Sequence, residues 1–489
     1  MEWTREQRYR SLEKVSQKEL SELKAEVDRC QWRQSFHIQP ETGLLNDPNG
    51  FSFYNGEYHL FYQWFPLGPV HGLKYWYHMK SKDLATWENV GTGIKPDQFF
   101  DSHGAYSGSG IEHDDKLYLF YTGNTRDENW VRHPYQCMAW MNKEGVITKA
   151  NRPIIDHVPE GYTDHFRDPK VWENNDSFYA IIGAQRENKT GAVIVYRSHN
   201  LEEWHLLGEV VTQLENFGYM WECPDYFDLD GQGVLMFSPQ GLEPSGDAFQ
   251  NIYQSGYVVG NALELPALNY THGAFTELDH GFDFYAPQTM EDPAGRRFMV
   301  GWMGLPEIAY PTDQSGWAHC LTVPRELTIQ NGKLLQTPVK EMAKKRKDHR
   351  EINDMINSQM KTYHDFEGAT YELYCAFDLI TAKEVGIVLR CSELEETIIK
   401  YDAGNQKVVF DRSNSGEKFA EEYGEIRQCH LSAEKVKFHI FVDRSSVEVF
   451  INDGEVAMTA RIFPDHESKG IRFFSIDGKS RLEAVKWKY

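Results

Sequence analysis

Apolar and polar residues alternate over short runs through most of the chain, and the runs end at Gly, Asp, Asn or Pro, which predicts strands and turns rather than helices. The exception is residues 5–30, where Leu20, Leu23, Val27 and Cys30 recur at helical spacing and Ser16 stands three before Glu19. That predicts a helical arm over 1–30 with a capping box, packed on the main body as a structural or dimer-contact element.

From Gln31 onward one apolar strand recurs after a turn: Tyr58–Tyr62, Leu117–Tyr121, Phe178–Ile182, Val234–Ser238 and Phe298–Trp302. The copies lie about 60 residues apart, too far for one hairpin and too close for a domain, which points to a radial array of small sheets. A second element, Ser81-x-x-Leu84-x-x-Trp87, returns as Ser198-x-x-Leu201-x-x-Trp204. The fold class expected is all-β: a five-bladed β-propeller over 31–337, a basic polar linker over 338–365, and a C-terminal β-sandwich over 366–489. Spacing alone does not separate the propeller from another all-β arrangement. In the tail, Asn452-Asp453-Gly454 marks a hairpin turn between two alternating strands.

Each repeated strand is preceded, by about 11 residues, by a short motif in the same phase of the period. Asp47, Tyr106, Asp168, Glu222 and Pro287 hold these positions. In a propeller such residues meet at one end of the central channel, so Asp47, Asp168 and Glu222 are expected to converge. Taken singly, Asp47-Pro48-Asn49-Gly50 and Asp168-Pro169 read as turns, and Glu222-Cys223-Pro224 as a surface acid. Taken together, three carboxylates without metal-ligand spacing suit glycosidic bond cleavage, in which one attacks the anomeric carbon and another, kept protonated, donates to the leaving oxygen. Glu222, beside Trp221 and near the charge of Asp47, is the candidate acid; Asp47, held by turn N–H groups, is the candidate nucleophile.

Composition narrows the partners. A formal net charge of −22 argues against nucleic acid or an anionic membrane as partner, so an anionic substrate would need a local basic pocket. The first residues carry no apolar signal core, no 18-residue apolar run is present, and the seven cysteines are scattered and odd in number, so a cytoplasmic protein without zinc is expected. The aromatic content of 14% is compatible with sugar binding.

Asn46-Asp47-Pro48-Asn49-Gly50, Gln63-Trp64, Tyr106-Ser107-Gly108-Ser109, Phe166-Arg167-Asp168-Pro169 and Glu222-Cys223-Pro224 match in order the hallmark motifs of family 32 of the glycoside hydrolases, and Val442–Phe450 resembles that family's sandwich motif. The resemblance spans nearly the whole chain. It implies Asp47 as nucleophile of a fructosyl-enzyme intermediate, Glu222 as acid/base and Asp168 as transition-state stabiliser, with no cofactor and no metal. Asn46, Gln63, Ser107 and Arg167 stand where the family contacts the fructosyl unit, and Leu44, Leu45, Trp64, Tyr106, Tyr285 and Trp302 are the further substrate contacts expected.

Within the family the chain looks most like the cytoplasmic members that hydrolyse sucrose-6-phosphate. His71 stands where many secreted members carry Trp, and His71-x-x-Lys74 places an imidazole and an ammonium where they could meet a phosphate. The alternative for this pair is a loop lysine and a packed histidine. The expected partner is a small-molecule sugar, sucrose-6-phosphate or sucrose; unphosphorylated fructo-oligosaccharides, fructosyl transfer and a non-catalytic binding propeller are the rival readings.

Overall fold

The computed structural model describes residues 3–489. The N-terminal arm forms two helices, Arg5–Arg8 and Gln17–Val27, rather than one. Each start is capped locally: Thr4 and Gln7 form a reciprocal capping box, and the Ser16 hydroxyl accepts from the Glu19 N–H. Between the helices the chain makes only a single 3₁₀ turn, Leu12–Lys14, and the arm's backbone is tied to the body on either side of it. Leu73 N–H donates to Arg8 O at 2.7 Å, and Leu12 N–H donates to the Tyr75 hydroxyl at 2.9 Å. Val27 and Cys30, from the expected apolar face, are buried with Trp32 against Tyr310, Trp317 and Phe463. Among the described residues no helix is long and apolar enough to cross a membrane.

Residues 43–338 build five successive antiparallel sheets of four or five strands. The five repeated apolar runs are the second strands of these sheets, and they are buried along nearly their whole length. Both faces of each sheet stack on neighbours, so these strands read as continuous apolar runs and not as alternation. The first strands, Gly43–Tyr54, Ala105–His113, Tyr162–Asn174, Met220–Leu229 and Tyr285–Glu291, pack each against the next, and the fifth packs against the first. Chain closure reinforces this ring: Trp317–Ala318, which follows the second strand of the fifth sheet, pairs in parallel with Gly43–Leu44. The second repeated element is one turn used twice. Leu84 and Leu201 both have positive φ (61° and 64°) and both accept from the indole N–H of the Trp three residues on, each at 2.9 Å.

The C-terminal part is a β-sandwich of two six-stranded sheets with one core between them, lined by Leu373, Phe377, Ile387, Phe410, Phe438 and Phe473 among others. The Asn452–Gly454 turn joins Ser446–Ile451 to Val456–Arg461 as expected. The segment 338–365 is not a linker. After the 3₁₀ turn Lys340–Lys345, Lys347–Asn357 pairs with the last strand, and Met360–Glu367 joins the opposite sheet. Lys347–Asn357 is an edge strand exposed on most of its length, so its side chains carry no apolar alternation and only backbone pairing defines it.

The two parts are locked by a buried ionic network. His37 Nδ1 lies 2.9 Å from Asp443 and its Nε2 2.9 Å from Glu448, while Asp443 also accepts from the backbone N–H groups of Ser35 and Phe36. Arg325 completes it, donating to Glu448 at 2.8 Å and to Asp279 at 3.1 Å. Burial opposes a charge on His37, but the two carboxylates outweigh it and raise its pKa to about 9. Because the folded pKa lies above the unfolded one, this stabilisation is complete below about 6.5 and is lost as pH rises through about 9. His37→Gln is therefore expected to lower stability at pH 7 by about 3 kcal/mol and to flatten the fall in urea midpoint between neutral and alkaline pH. Parallel pH curves for the two proteins would show that the imidazole is not the charged centre of the lock.

Candidate active site

The motifs that carry the candidate catalytic residues are β-bulges. In all five inner strands the register slips by one residue at the same height: between Leu45 and Pro48, Ala105 and Gly108, Arg167 and Lys170, Glu222 and Asp225, and Tyr285 and Gln288. Four of the five carry a proline there, Pro48, Pro169, Pro224 and Pro287, which cannot donate to the ladder. The fifth has Gly108, where a Cβ would lie 1.8 Å from the Phe120 carbonyl oxygen. The residues released from pairing are Asn46-Asp47, Tyr106-Ser107, Asp168, Cys223 and Ala286, and they turn toward the channel axis. Asp168, Cys223 and Ala286 have φ of 67°, 47° and 48°, conformations that cost non-glycine residues energy and that recur at functional sites.

At the mouth of the ring Asn46, Asp47, Tyr106 and Asp168 line an open pocket, while Ser107, Cys223 and Ala286 lie beneath it. Asp47 Oδ2 accepts from Gln63 Nε2 at 3.0 Å and from the Ser107 hydroxyl, and Oδ1 accepts from Asn46 Nδ2 at 3.0 Å. Side chains, not turn N–H groups, hold Asp47, because the bulge lies within a strand whose neighbours supply the donors. Lys74 Nζ donates to Asn46 Oδ1 at 2.6 Å and so orients the amide that serves Asp47. Glu222 is gripped on both oxygens: Arg167 donates to Oε1 through Nε and Nη2 at 2.9 and 2.6 Å, and the Tyr285 hydroxyl donates to Oε2 at 2.6 Å. Trp221 does not border that carboxylate as expected. Alternation along the strand sends its ring the other way, where it stacks on Phe237 with centroids 4.3 Å apart. Asp168 accepts from Cys223 N–H at 3.0 Å, and the Cys223 sulfur lies 3.6 Å from Asp168 and 3.8 Å from Asp47. The three carboxylates thus surround one small volume.

Burial and crowding together shift Asp47 and Asp168. Burial, with the charge of Glu222 added, raises the pKa of Asp47. Burial likewise raises Asp168 to about 7, Arg167 opposing and the charges of Glu222 and Asp47 reinforcing. Burial and the same carboxylates push the Cys223 thiol and the Tyr285 phenol well above their usual ranges, so both stay neutral. Burial pulls Lys74 down to about 7 against the attraction of Asp47.

Of the expected substrate contacts, Asn46, Gln63, Tyr106, Arg167, Tyr285 and Trp302 line the pocket, and Ser107 reaches it through Asp47. Leu44, Leu45 and Trp64 do not: all three are buried, and the Trp64 indole donates to Thr42 O at 2.7 Å. They flank the bulge on the paired stretch of strand, where side chains point into the packing between sheets. His71 and Lys74 both line the pocket. Lys74 is already bonded to Asn46, and His71 is exposed at the wall beside the cationic side chains of Lys74 and Arg8. Sequence reasoning did not find Tyr9, Arg132, Gln240, Tyr253 and Glu307 on the walls. The arm, expected to be structural only, supplies Tyr9.

A pocket walled by three carboxylates, each fixed by donors and drawn from three different sheets, has the groups that a glycoside hydrolase uses. The chain belongs to glycosyl hydrolase family 32: the family's N-terminal domain matches residues 37–338 and its C-terminal domain residues 338–488. Among curated relatives, a sucrose-6-phosphate hydrolase of Staphylococcus xylosus is 48% identical, the match covering 99% of this chain and 98% of that protein. One from Bacillus subtilis (strain 168) is 41% identical over 93% of this chain and 94% of that one. Among solved structures, the sucrose-6-phosphate hydrolase from Lactobacillus gasseri superposes with a TM-score of 0.93 at 38% identity, over 100% of this chain and 99% of that one. A Bombyx mori family 32 β-fructofuranosidase mutant in complex with sucrose gives 0.83 at 31% identity, covering 96% of each chain.

Asp168 also makes a stability prediction. Its folded pKa, about 7, lies above the unfolded 3.8, so ionisation there destabilises the fold at pH above about 7, and the cost disappears below about 4. Asp168→Asn is expected to lose most turnover yet melt a few degrees higher than the parent at pH 8, with no difference near pH 4. A lower melting temperature at pH 8 would mean that Asp168 is a structural acceptor rather than a strained functional acid.

Proposed function

We propose that the chain hydrolyses the β-fructofuranosyl linkage of sucrose-6-phosphate, releasing glucose 6-phosphate and fructose with retention, in the cytoplasm. The observation that carries this reading is the paired setting of Asp47 and Glu222: one carboxylate is loaded by Ser107, Gln63 and Asn46, the other is gripped by Arg167 and Tyr285. The names of the full-length relatives support the phosphorylated substrate. The ring of five sheets is read as the five blades of a propeller whose channel mouth is the pocket. Seven free cysteines, six of them buried, suit a reducing compartment.

In the first step an Asp47 oxygen attacks the anomeric carbon of fructose while Glu222 delivers its proton to the glycosidic oxygen. The carbon–oxygen bond to glucose breaks and an ester to Asp47 forms. In the second step Glu222, now a carboxylate, takes a proton from water; the water oxygen attacks the same carbon, and Asp47 leaves. Asn46, Gln63 and Ser107 hold the nucleophile before reaction, so little reorientation remains at the barrier. Asp168 accepts hydrogen bonds from fructose hydroxyls, which strengthen as positive charge develops on the ring. Tyr285 and Arg167 keep Glu222 in one rotamer for both proton transfers.

Two measurements test the reading. Azide, a nucleophile that needs no general base, is expected to speed turnover of an activated fructoside by Glu222→Ala and to leave Asp47→Ala inactive; rescue of Asp47→Ala alone would reverse the roles. Measured side by side at fixed ionic strength, kcat/KM is expected to favour sucrose-6-phosphate over sucrose, and equal values would return the chain to the unphosphorylated fructosides.

A further inference from the structure

A substrate dianion must find a cation in a chain of net charge −22, and the pocket offers few. Its lining contains Lys74, Arg167 and Arg132 as cationic side chains. Lys74 is bonded to Asn46, and Arg167 to Glu222. Arg132 has no hydrogen-bond acceptor and no carboxylate within ion-pair distance among the described residues, and its Nε is buried without a partner. A half-buried guanidinium left unpaired beside a substrate pocket is costly unless a ligand completes it.

Its surroundings repeat the pattern. Arg126 stands next to it, donates Nη1 to Trp130 O at 3.2 Å, and likewise has a buried Nε without a partner. The phenol of Tyr9 lies in the field of both guanidinium groups. Arg132 shares the pocket lining with Arg167 and Glu222, and the charges of Arg167 and, with opposite sign, Asp164 act on it. The N-terminal arm orders this corner. Tyr9 packs edge-on to Trp130 with centroids 5.2 Å apart and leans on His103 at 5.5 Å, while Arg5 covers the other surface of Trp130, 4.0 Å from its centre. Trp130 lies in the loop that leads to Arg132, so the arm braces the loop carrying the unpaired charge.

We propose that Arg132, flanked by Arg126 and Tyr9 of the N-terminal arm, receives the 6-phosphate of the glucosyl unit. The proposal rests on the sucrose-6-phosphate reading and moves the phosphate from His71 and Lys74 to Arg132, on the sheet that Lys74 adjoins through its bond to Ala105. A guanidinium offers two parallel N–H donors to a phosphate, a match that an ammonium lacks.

The test is kcat/KM on sucrose-6-phosphate and on sucrose for the parent enzyme, Arg132→Gln, Arg132→Lys and Lys74→Met, with melting temperatures to confirm folding. Arg132→Gln is expected to lower the ratio of sucrose-6-phosphate to sucrose by about tenfold or more, chiefly through KM, with Arg132→Lys between it and the parent. Glucose 6-phosphate is expected to compete with sucrose hydrolysis in the parent and to weaken by a similar factor in Arg132→Gln. Lys74→Met is expected to reduce both substrates alike, since Lys74 serves Asp47. A parent that prefers sucrose-6-phosphate and keeps that preference in Arg132→Gln overturns the assignment while leaving the substrate reading intact. A parent without the preference overturns the substrate reading itself. If Lys74→Met collapses the ratio and Arg132→Gln does not, the phosphate lies on the Lys74 wall.

Discussion

The site depends on one backbone constraint, an extra residue in each inner strand where proline or glycine interrupts the ladder. A regular strand would hand every second side chain to the packing between sheets. The bulge turns two adjacent positions toward the channel instead, so Asn46 can serve Asp47 from the next position in the chain. Repeating the defect at one height around the ring makes five separate kinks into one pocket. The positive φ of Asp168 and Cys223 records the local cost, which the paired strands on either side sustain.

A ring of strands is only as rigid as its closure and its support. Closure comes from Trp317–Ala318 returning to Gly43–Leu44, two residues before the first bulge begins. Support comes from the sandwich through His37, whose backbone and ring are both held by Asp443. His37 lies in the segment that leads directly into the strand of Asp47, so the ionic lock steadies the entry to that carboxylate. The sandwich motif around Asp443 and Glu448 thereby supports the pocket without lining it.

Electrostatically the pocket is a division of labour among like charges. Arg167 and Tyr285 engage Glu222, three neutral donors engage Asp47, and Asp168 is left with the Cys223 N–H and thiol and the largest upward shift. Lys74, its pKa lowered by burial, steadies Asn46 without forming a direct ion pair with Asp47. Among the described residues lining the pocket, Arg132 is the guanidinium with no side-chain hydrogen bond or ion pair, beside Arg126, which donates to Trp130 O.

The local features were legible in the chain. Period-two runs ending in turns announce an all-β body, the recurring apolar strand marks the second strand of every sheet, and proline beside Asp47, Asp168 and Cys223 marks where pairing breaks. These signals are written by neighbours in sequence, through backbone sterics and the alternation of side chains, and so the catalytic carboxylates could be named from their phase. What only the tertiary structure decided is which side chain meets which across the folds of the ring. Leu44, Leu45 and Trp64 share a motif with the site yet face the core, because the bulge begins after Leu45. The exposed edge strand Lys347–Asn357 has no apolar pattern to betray it. His37 is buried and charged because Asp443 and Glu448 come to it from the far end of the chain, and Arg132 lacks an ion-pair partner because, among the described residues, no carboxylate comes within contact distance of it. Such meetings depend on long-range register and ring closure, for which a single sequence carries no local mark.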